Sequence, residues 1–208
     1  MEAHDMTTDQ GTRALRLAQE AQDLLFREAR TANTFSAEPV TEEQVQAIYD
    51  LVKWAPTSMN TQPLRVLLVR SPQARAKLDA LMSPGNRAKT ASAPLVAVLA
   101  ADVDFHEHLP SQFPHHPGAK DNFADEGGRV DVARFNALLQ VGYFILGVRA
   151  AGLAAGPMTG FDAAGVDAEF FPDGRRRSLV VVNIGHPGDE AWFDRNPRLG
   201  YEQVVETV

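Results

Sequence analysis

The chain has 208 residues, of which 44% are apolar, with no cysteine and a formal net charge of −7. One domain spanning residues 1–208 is expected at this length; the missing cysteines exclude disulfides, thiolate metal sites and thiol nucleophiles, and an acidic balance without a basic block argues against a nucleic-acid surface. No apolar run approaches the ~20 residues of a bilayer span, and MEAHDMTTDQ lacks the basic-then-apolar layout of a signal peptide, so a cytoplasmic protein without membrane contact is expected.

Residues 9–30 are helix-forming and amphipathic, with Leu15, Leu24 and Leu25 among polar neighbours, and predict a first helix. Thr41-Glu-Glu-Gln44 is a capping-box pattern, after which Val45, Ile48, Tyr49 and Val52 recur at helical spacing and predict a helix over about 42–53. The proline-bounded stretch from Ala55 to Pro63 is polar and reads as a loop of the kind that carries sites. Val66–Val69 reads as a buried strand. Ser71-Pro72 opens a helix expected to end near Gly85, and Pro94–Ala100 is a second apolar strand.

From Asp102 to Gly128 the chain is polar and rich in His, Pro, Gly and Asp, too long for a passive connection, and is expected to lie over the active site or a dimer surface. Residues 129–151 predict a helix apolar on most faces, which must be covered on all sides, ending at Gly152. Asp162 can cap a short helix reaching Phe170, and Leu179–Ile184 is a third strand. The tail from Trp192 to Val208 holds aromatics without a core pattern and suits an arm lying on another subunit.

The loops that hold nucleotides or activate serine are missing: there is no G-x-G-x-x-G after a strand, no G-x-x-x-x-G-K-[ST] and no G-x-S-x-G. A tightly held dinucleotide or an α/β-hydrolase mechanism is therefore not expected, and without cysteine any redox chemistry needs a cofactor. His106, His108, His115 and His116 invite a metal reading, but a polar, proline-rich excursion without HExxH spacing is the plainer account and no metal is expected. Arg175-Arg-Arg177 is read as a solvated turn rather than an anion site.

Five dispersed segments carry a more specific signal: Arg27–Phe35, Trp54–Pro63, Gly85–Lys89, Gly152–Phe161 and Arg195–Leu199. Singly they read as a helix end, a proline loop, a helix cap, a glycine turn and a surface tail. Together and in this order, with the words KWAPTSMNTQPLRV, GNRAKTASAP, GLAAGPMTGFD, VVNIGHPG and NPRL, the chain from about residue 20 onward resembles the nitroreductase family, and most nearly the branch of malonic semialdehyde reductase of bacterial pyrimidine utilisation. The resemblance implies an α+β fold with a central mixed sheet flanked by helices, an intertwined homodimer, bound FMN, and transient NADH or NADPH.

It implies site residues as well. Arg30 and Arg198 match the positions that hold the FMN phosphate, with Thr31 as a hydroxyl donor; planar guanidinium forks suit a phosphate dianion. Arg195 lies near a further basic position, out of register. Asn33 stands where relatives often carry Lys or Arg. Asn86 would bond the flavin pyrimidine edge, and Lys89, on the same helical face, would supply the adjacent cation. Pro56, Thr57, Ser58 and Asn60 match the loop touching flavin and ribityl chain, from the partner subunit. Pro157 and Met158 would pack on the ring, while backbone N–H groups of Thr159 or Gly160 reach flavin N5; many relatives have Glu at the place of Thr159. The implied reaction is ping-pong hydride transfer from NAD(P)H through N5 to malonic semialdehyde, giving 3-hydroxypropanoate. Broad nitroaromatic or quinone reduction, or flavin binding or degradation without steady-state turnover, are the alternatives.

Overall fold

A computed structural model describes residues 15–208. The proposed start of the first helix, at 9–14, lies outside them. Within them the helix is shorter than expected: α1 covers Gln19–Gln22 and passes into a π-helical turn at Asp23–Arg27. The second helix, α2 (Glu42–Val52), has the predicted capping box, with Gln44 N–H donating to Thr41 and the Gln44 side chain accepting from Thr41 N–H.

Strand β1 (Leu64–Val69) is followed by α3 (Pro72–Leu81) and α4 (Pro84–Ser92). One helix was expected here. Met82 is extended and pairs with Phe161, and a second proline at Pro84 opens a new helix, so the chain breaks between them. Strand β2 (Leu95–Asp102) is buried along its whole length.

The 102–128 excursion is organised around a small core of its own. A 3₁₀ turn at Phe105–His108, α5 (Leu109–Gln112) and a second 3₁₀ run at Pro117–Phe123 pack Phe105, Leu109 and Ala119 against Ala133 and Ala137 of the helix that follows. Helix α6 (Glu126–Ala150) starts three residues before the predicted point because Asp125 caps it, accepting the Gly128 N–H at 2.7 Å. It ends at Gly152, whose φ of 74° is the left-handed stop that glycine permits.

Strand β3 (Ala154–Met158), α7 (Ala163–Phe170, capped by Asp162), β4 (Arg176–Gly185) and a short α8 (Tyr201–Val204) complete the described elements. The sheet order is β1-β2-β4-β3 with every pairing antiparallel. The expected mixed sheet is thus corrected: among the described residues the only parallel pairing is an isolated bridge, Thr31 to Ala155. The glycine-rich stretch around Gly156, read as a turn, is an edge strand, and its proline is tolerated there.

Both faces of the sheet are covered, and alternate residues of β2 feed two cores. Val96, Val98 and Ala100 meet Leu78, Met82, Val166 and Phe171 on one side. Leu95, Ala97 and Leu99 meet Ile48, Val141, Phe144 and Val148 of α2 and α6 on the other. A Cβ at Gly147 would come within 2.3 Å of Val52 Cγ1, so α2 and α6 approach closely only because this position has no side chain. The opposite face of α6 leaves Phe135, Leu138, Leu139 and Tyr143 exposed.

The basic triplet is not a solvated turn. Arg176 and Arg177 lie in β4, and Arg175 donates to Asp102 at 2.9 and 3.2 Å and to Glu107 at 3.1 Å. Arg65 reaches the same Asp102 carboxylate at 2.7 Å. This clasp fastens the excursion to the end of the sheet.

Candidate active site

The segment after the π-turn is zipped to the stretch following β4. Asn33 N–H donates to Ala191 O, Ser36 N–H to His186 O, Gly188 N–H to Thr34 O and the Thr34 hydroxyl to Asp189 O. Four bonds thereby carry the C-terminal arm past Arg30. The result is a cleft of about 210 Å³ in which Arg30, Thr31, Asn33, Arg195 and Arg198 come together with Phe193 and Asp194.

The guanidinium groups in this cleft are steadied by main-chain carbonyls: Arg30 by Phe193 O, Arg195 by Arg27 O, and Arg198 by Asn196 O and Pro197 O. None of the three forms an ion pair with a carboxylate among the described residues, and each keeps donors to spare. Three cations against the single carboxylate of Asp194 make a site for an anion with several oxygens, and paired forks plus a hydroxyl fit a phosphate dianion. The cleft is smaller than the roughly 300–1,000 Å³ of a complete small-molecule pocket, so it suits the phosphate end of a nucleotide-sized ligand rather than the whole.

A second group forms along the seam between α4 and the end of β3. The Asn86 side chain donates to Gly160 O at 2.9 Å, and Ser83 N–H donates to the same carbonyl at 3.0 Å. The Asn86 NH₂ group, expected on a pyrimidine edge, is therefore engaged with Gly160, and its carbonyl oxygen is what it offers outward. A Cβ at Gly160 would lie 2.6 Å from Asn86 Nδ2, so glycine allows this contact. Lys89 is half-buried one turn further along the same helix. Strand alternation puts Met158 into the core among Leu78 and Phe171, while Pro157 is half-buried and Thr159 exposed. Of the two residues expected to pack on a flavin ring, Pro157 is the more accessible and Met158 belongs to the core.

The third group, Pro56, Thr57, Ser58 and Asn60, lies elsewhere. Pro56, Thr57 and Asn60 line a cleft of about 390 Å³ together with Lys53, Trp54 and Gln112, and it shares no residue with the arginine cleft. The loop is strained: Met59, Asn60 and Gln62 have φ of 49°, 54° and 42°, a conformation costing roughly 1–2 kcal/mol per residue outside glycine, less for asparagine.

Side chains that the sequence reading passed over hold this loop. Ser58 N–H donates to Asn136 Oδ1 at 2.8 Å and Leu64 N–H to Gln140 Oε1 at 2.9 Å. Gln112 accepts from the Asn60 side chain through its carbonyl and from Gln62 through its own side chain. Two amides one turn apart within the otherwise apolar stretch 135–148 of the helix were the available signal.

The four clustered histidines do not converge. His108 sits beside Arg175 and, at 3.8 Å, Asp102; His106 meets the edge of Phe105; and His115 lies against Phe113. Among the described residues no group of three or more His, Cys, Asp or Glu is placed to hold a metal ion, and no helix is long and apolar enough to cross a membrane.

Known proteins resemble this chain in sequence and in fold. Residues 26–186 match the model of the nitroreductase family. A Streptomyces coelicolor protein, provisionally named NADH dehydrogenase/NAD(P)H nitroreductase, is 66% identical over 189 residues, 90% of this chain and 96% of that one. A solved Bacillus subtilis structure, provisionally named a nitroreductase, superposes with a TM-score of 0.80 at 23% identity over 92% of this chain and all of that chain. A similarly named Exiguobacterium sibiricum structure, solved in complex with FMN, gives 0.80 at 18% identity over 93% of this chain and 99% of that one. At such identities the two structures bear on the fold alone. Because the matched span runs from the turn preceding Arg30 through the end of β4, and so takes in every strand of the sheet, the chain belongs to the nitroreductase family.

Proposed function

We propose that this protein is an FMN-dependent NAD(P)H oxidoreductase that works as a homodimer and reduces malonic semialdehyde to 3-hydroxypropanoate. The observation that carries the proposal is the cleft in which Arg30, Thr31, Asn33, Arg195 and Arg198 gather from opposite ends of the chain. Bound FMN would supply the hydride chemistry that links NADH or NADPH to the acceptor, in ping-pong order.

Arg30 and Arg198 hold the phosphate, Thr31 adds a hydroxyl, and Arg195 stands at the rim. Asn86 and Lys89 address the pyrimidine edge from α4, with Pro157, Thr159 and Gly160 beneath the ring. The loop Pro56–Asn60, in its separate cleft, completes the site of the partner subunit, and the exposed apolar stripe of α6 together with Trp54 supplies the surface that brings the two together. Thr159, with no carboxylate, leaves the acceptor pocket open to an anionic semialdehyde; the aldehyde carbon receives the hydride and its oxygen a proton from solvent or a nearby hydroxyl. Broad nitroaromatic or quinone reduction is a second reading, favoured by the name of the Streptomyces coelicolor relative; NADH and NADPH oxidation with malonic semialdehyde and with a nitroaromatic, compared by kcat/KM, separates the two.

Arg30→Ala and Arg198→Ala are each expected to weaken FMN binding by roughly 10- to 100-fold, since a charge-assisted hydrogen bond contributes about 1.5–3 kcal/mol. Flavin absorbance after dialysis measures this, and wild-type occupancy in either variant would remove that residue from the phosphate site. Lys89→Ala should retain flavin but lower its midpoint potential, because a cation beside the pyrimidine favours the reduced cofactor. A loss of about 1.5–3 kcal/mol corresponds to roughly 30–60 mV for two electrons. An unshifted potential in dye-coupled titration would rule out that role.

A further inference from the structure

The strained loop is held in place by the protein's own side chains. Its two ends are fixed by side chains from one helix: Asn136 accepts the Ser58 N–H and Gln140 accepts the Leu64 N–H, at 2.8 and 2.9 Å. Both amides are buried, at 3% and 8% exposure, on the inward face of α6. The remaining half of Asn136 is satisfied too, its Nδ2 donating to Val132 O at 2.9 Å. The loop's crest is anchored from the other side. Met59 packs against the small core of the excursion, and Asn60 donates to Gln112 O at 2.8 Å.

We infer that Asn136 and Gln140 are positioning residues for the cofactor: one turn apart on α6, they set the backbone of the 57–62 loop in its left-handed course and so present Thr57, Ser58 and Asn60 ready-made to the flavin. This rests on the reading that the loop touches FMN. The physical reason is that left-handed Met and Gln residues persist only where the surroundings over-determine them, and here the surroundings are two backbone N–H groups that have no strand or helix partner and take a buried amide instead. The excursion at 102–128 acquires a role by the same argument, as the opposite jaw of the clamp through Met59 and Gln112. A preformed loop does not have to be ordered by the ligand, so its contribution to FMN affinity is not diminished by that ordering.

The test uses full-length protein reconstituted with FMN. Asn136→Leu and Gln140→Met keep the approximate volume and remove the acceptor; Gln140→Glu restores an acceptor oxygen; Val141→Ala trims a neighbouring buried residue of α6 that belongs to the sheet core and not to the loop clamp. FMN dissociation constant, midpoint potential and apoprotein melting are measured on each. Asn136→Leu and Gln140→Met should each weaken FMN about tenfold or more and displace the flavin potential. Gln140→Glu should return affinity and potential towards wild type, and Val141→Ala should lower the melting temperature without changing either. Wild-type affinity and potential in both acceptor-less variants would overturn the inference, as would equal weakening by Val141→Ala. If Asn136→Leu does not fold, Gln140→Met and Gln140→Glu decide between them. A wild-type protein that takes up no FMN defeats the proposed function itself, a result distinct from wild-type protein that binds FMN beside variants that bind it equally well.

Discussion

Truncation after Ala191 is expected to give a colourless, aggregation-prone protein. The cut removes Arg195 and Arg198 together with Phe193, whose carbonyl steadies the Arg30 guanidinium at 3.2 Å, leaving Arg30 and Thr31 as the remains of the proposed phosphate site. It also removes an arm that exposes Phe193, Leu199, Tyr201 and Val204, apolar side chains that contribute little within one chain and are suited to lie on a partner. Obligate interfaces of the kind proposed bury more than about 2,000 Å²; without its arm each subunit would leave the α6 stripe of Phe135, Leu138, Leu139 and Tyr143 uncovered. Ala191 itself, buried and accepting the Asn33 N–H, is retained, so the sheet and its two cores should still form. Sedimentation and flavin absorbance on one sample check the expectation. A stable monomer carrying a full complement of FMN would sink the shared-site reading.

A large loss of stability is expected from Asp102→Ala. Asp102 is 1% exposed and receives Arg65 at 2.7 Å and Arg175 at 2.9 Å; its removal takes the shared carboxylate from two guanidinium groups about 30% exposed, leaving Arg175 with Glu107 and Arg65 with main-chain carbonyls. Breaking a fully buried pair costs about 3–5 kcal/mol; partial solvation of the arginines reduces this to roughly 2–4 kcal/mol, or about 5–15 °C in Tm for a chain of this size. A loss below about 1 kcal/mol in denaturant titration would mean that solvent takes over both cations. The pH dependence has a definite sign. Burial pushes the Asp102 carboxyl up, but the hydrogen bond from Arg175, the Arg65 charge and the Asp104 N–H outweigh it and hold its pKa below the ordinary value. A depressed carboxylate stabilises the fold above its unfolded pKa of about 3.9, and the contribution disappears as pH falls through the lower folded value. The gap in stability between wild type and Asp102→Ala should therefore be constant from neutral pH to about 4–5 and close below it.

Where local chemistry decides an outcome, the sequence was sufficient. The capping box at Thr41, the Ser71 and Asp162 caps, the stop at Gly152 and the continuous apolar run of β2 depend on neighbours within a turn or on burial from both faces, and each stands where its residues indicate. Five short segments in family order were enough to indicate the fold family, and the arginines at 30 and 198 could be paired only through that resemblance. Tertiary structure decided the rest, because those outcomes depend on partners distant in sequence. Gly156 and Pro157 lack strand propensity and form an edge strand because β4 offers its ladder. Arg175 resembles a surface cation until β2 delivers Asp102 to it, and Asn136 and Gln140 look like polar interruptions of an apolar helix until the loop turns its N–H groups toward them. A buried charge or amide is defined by what it meets, and the chain order does not record that meeting.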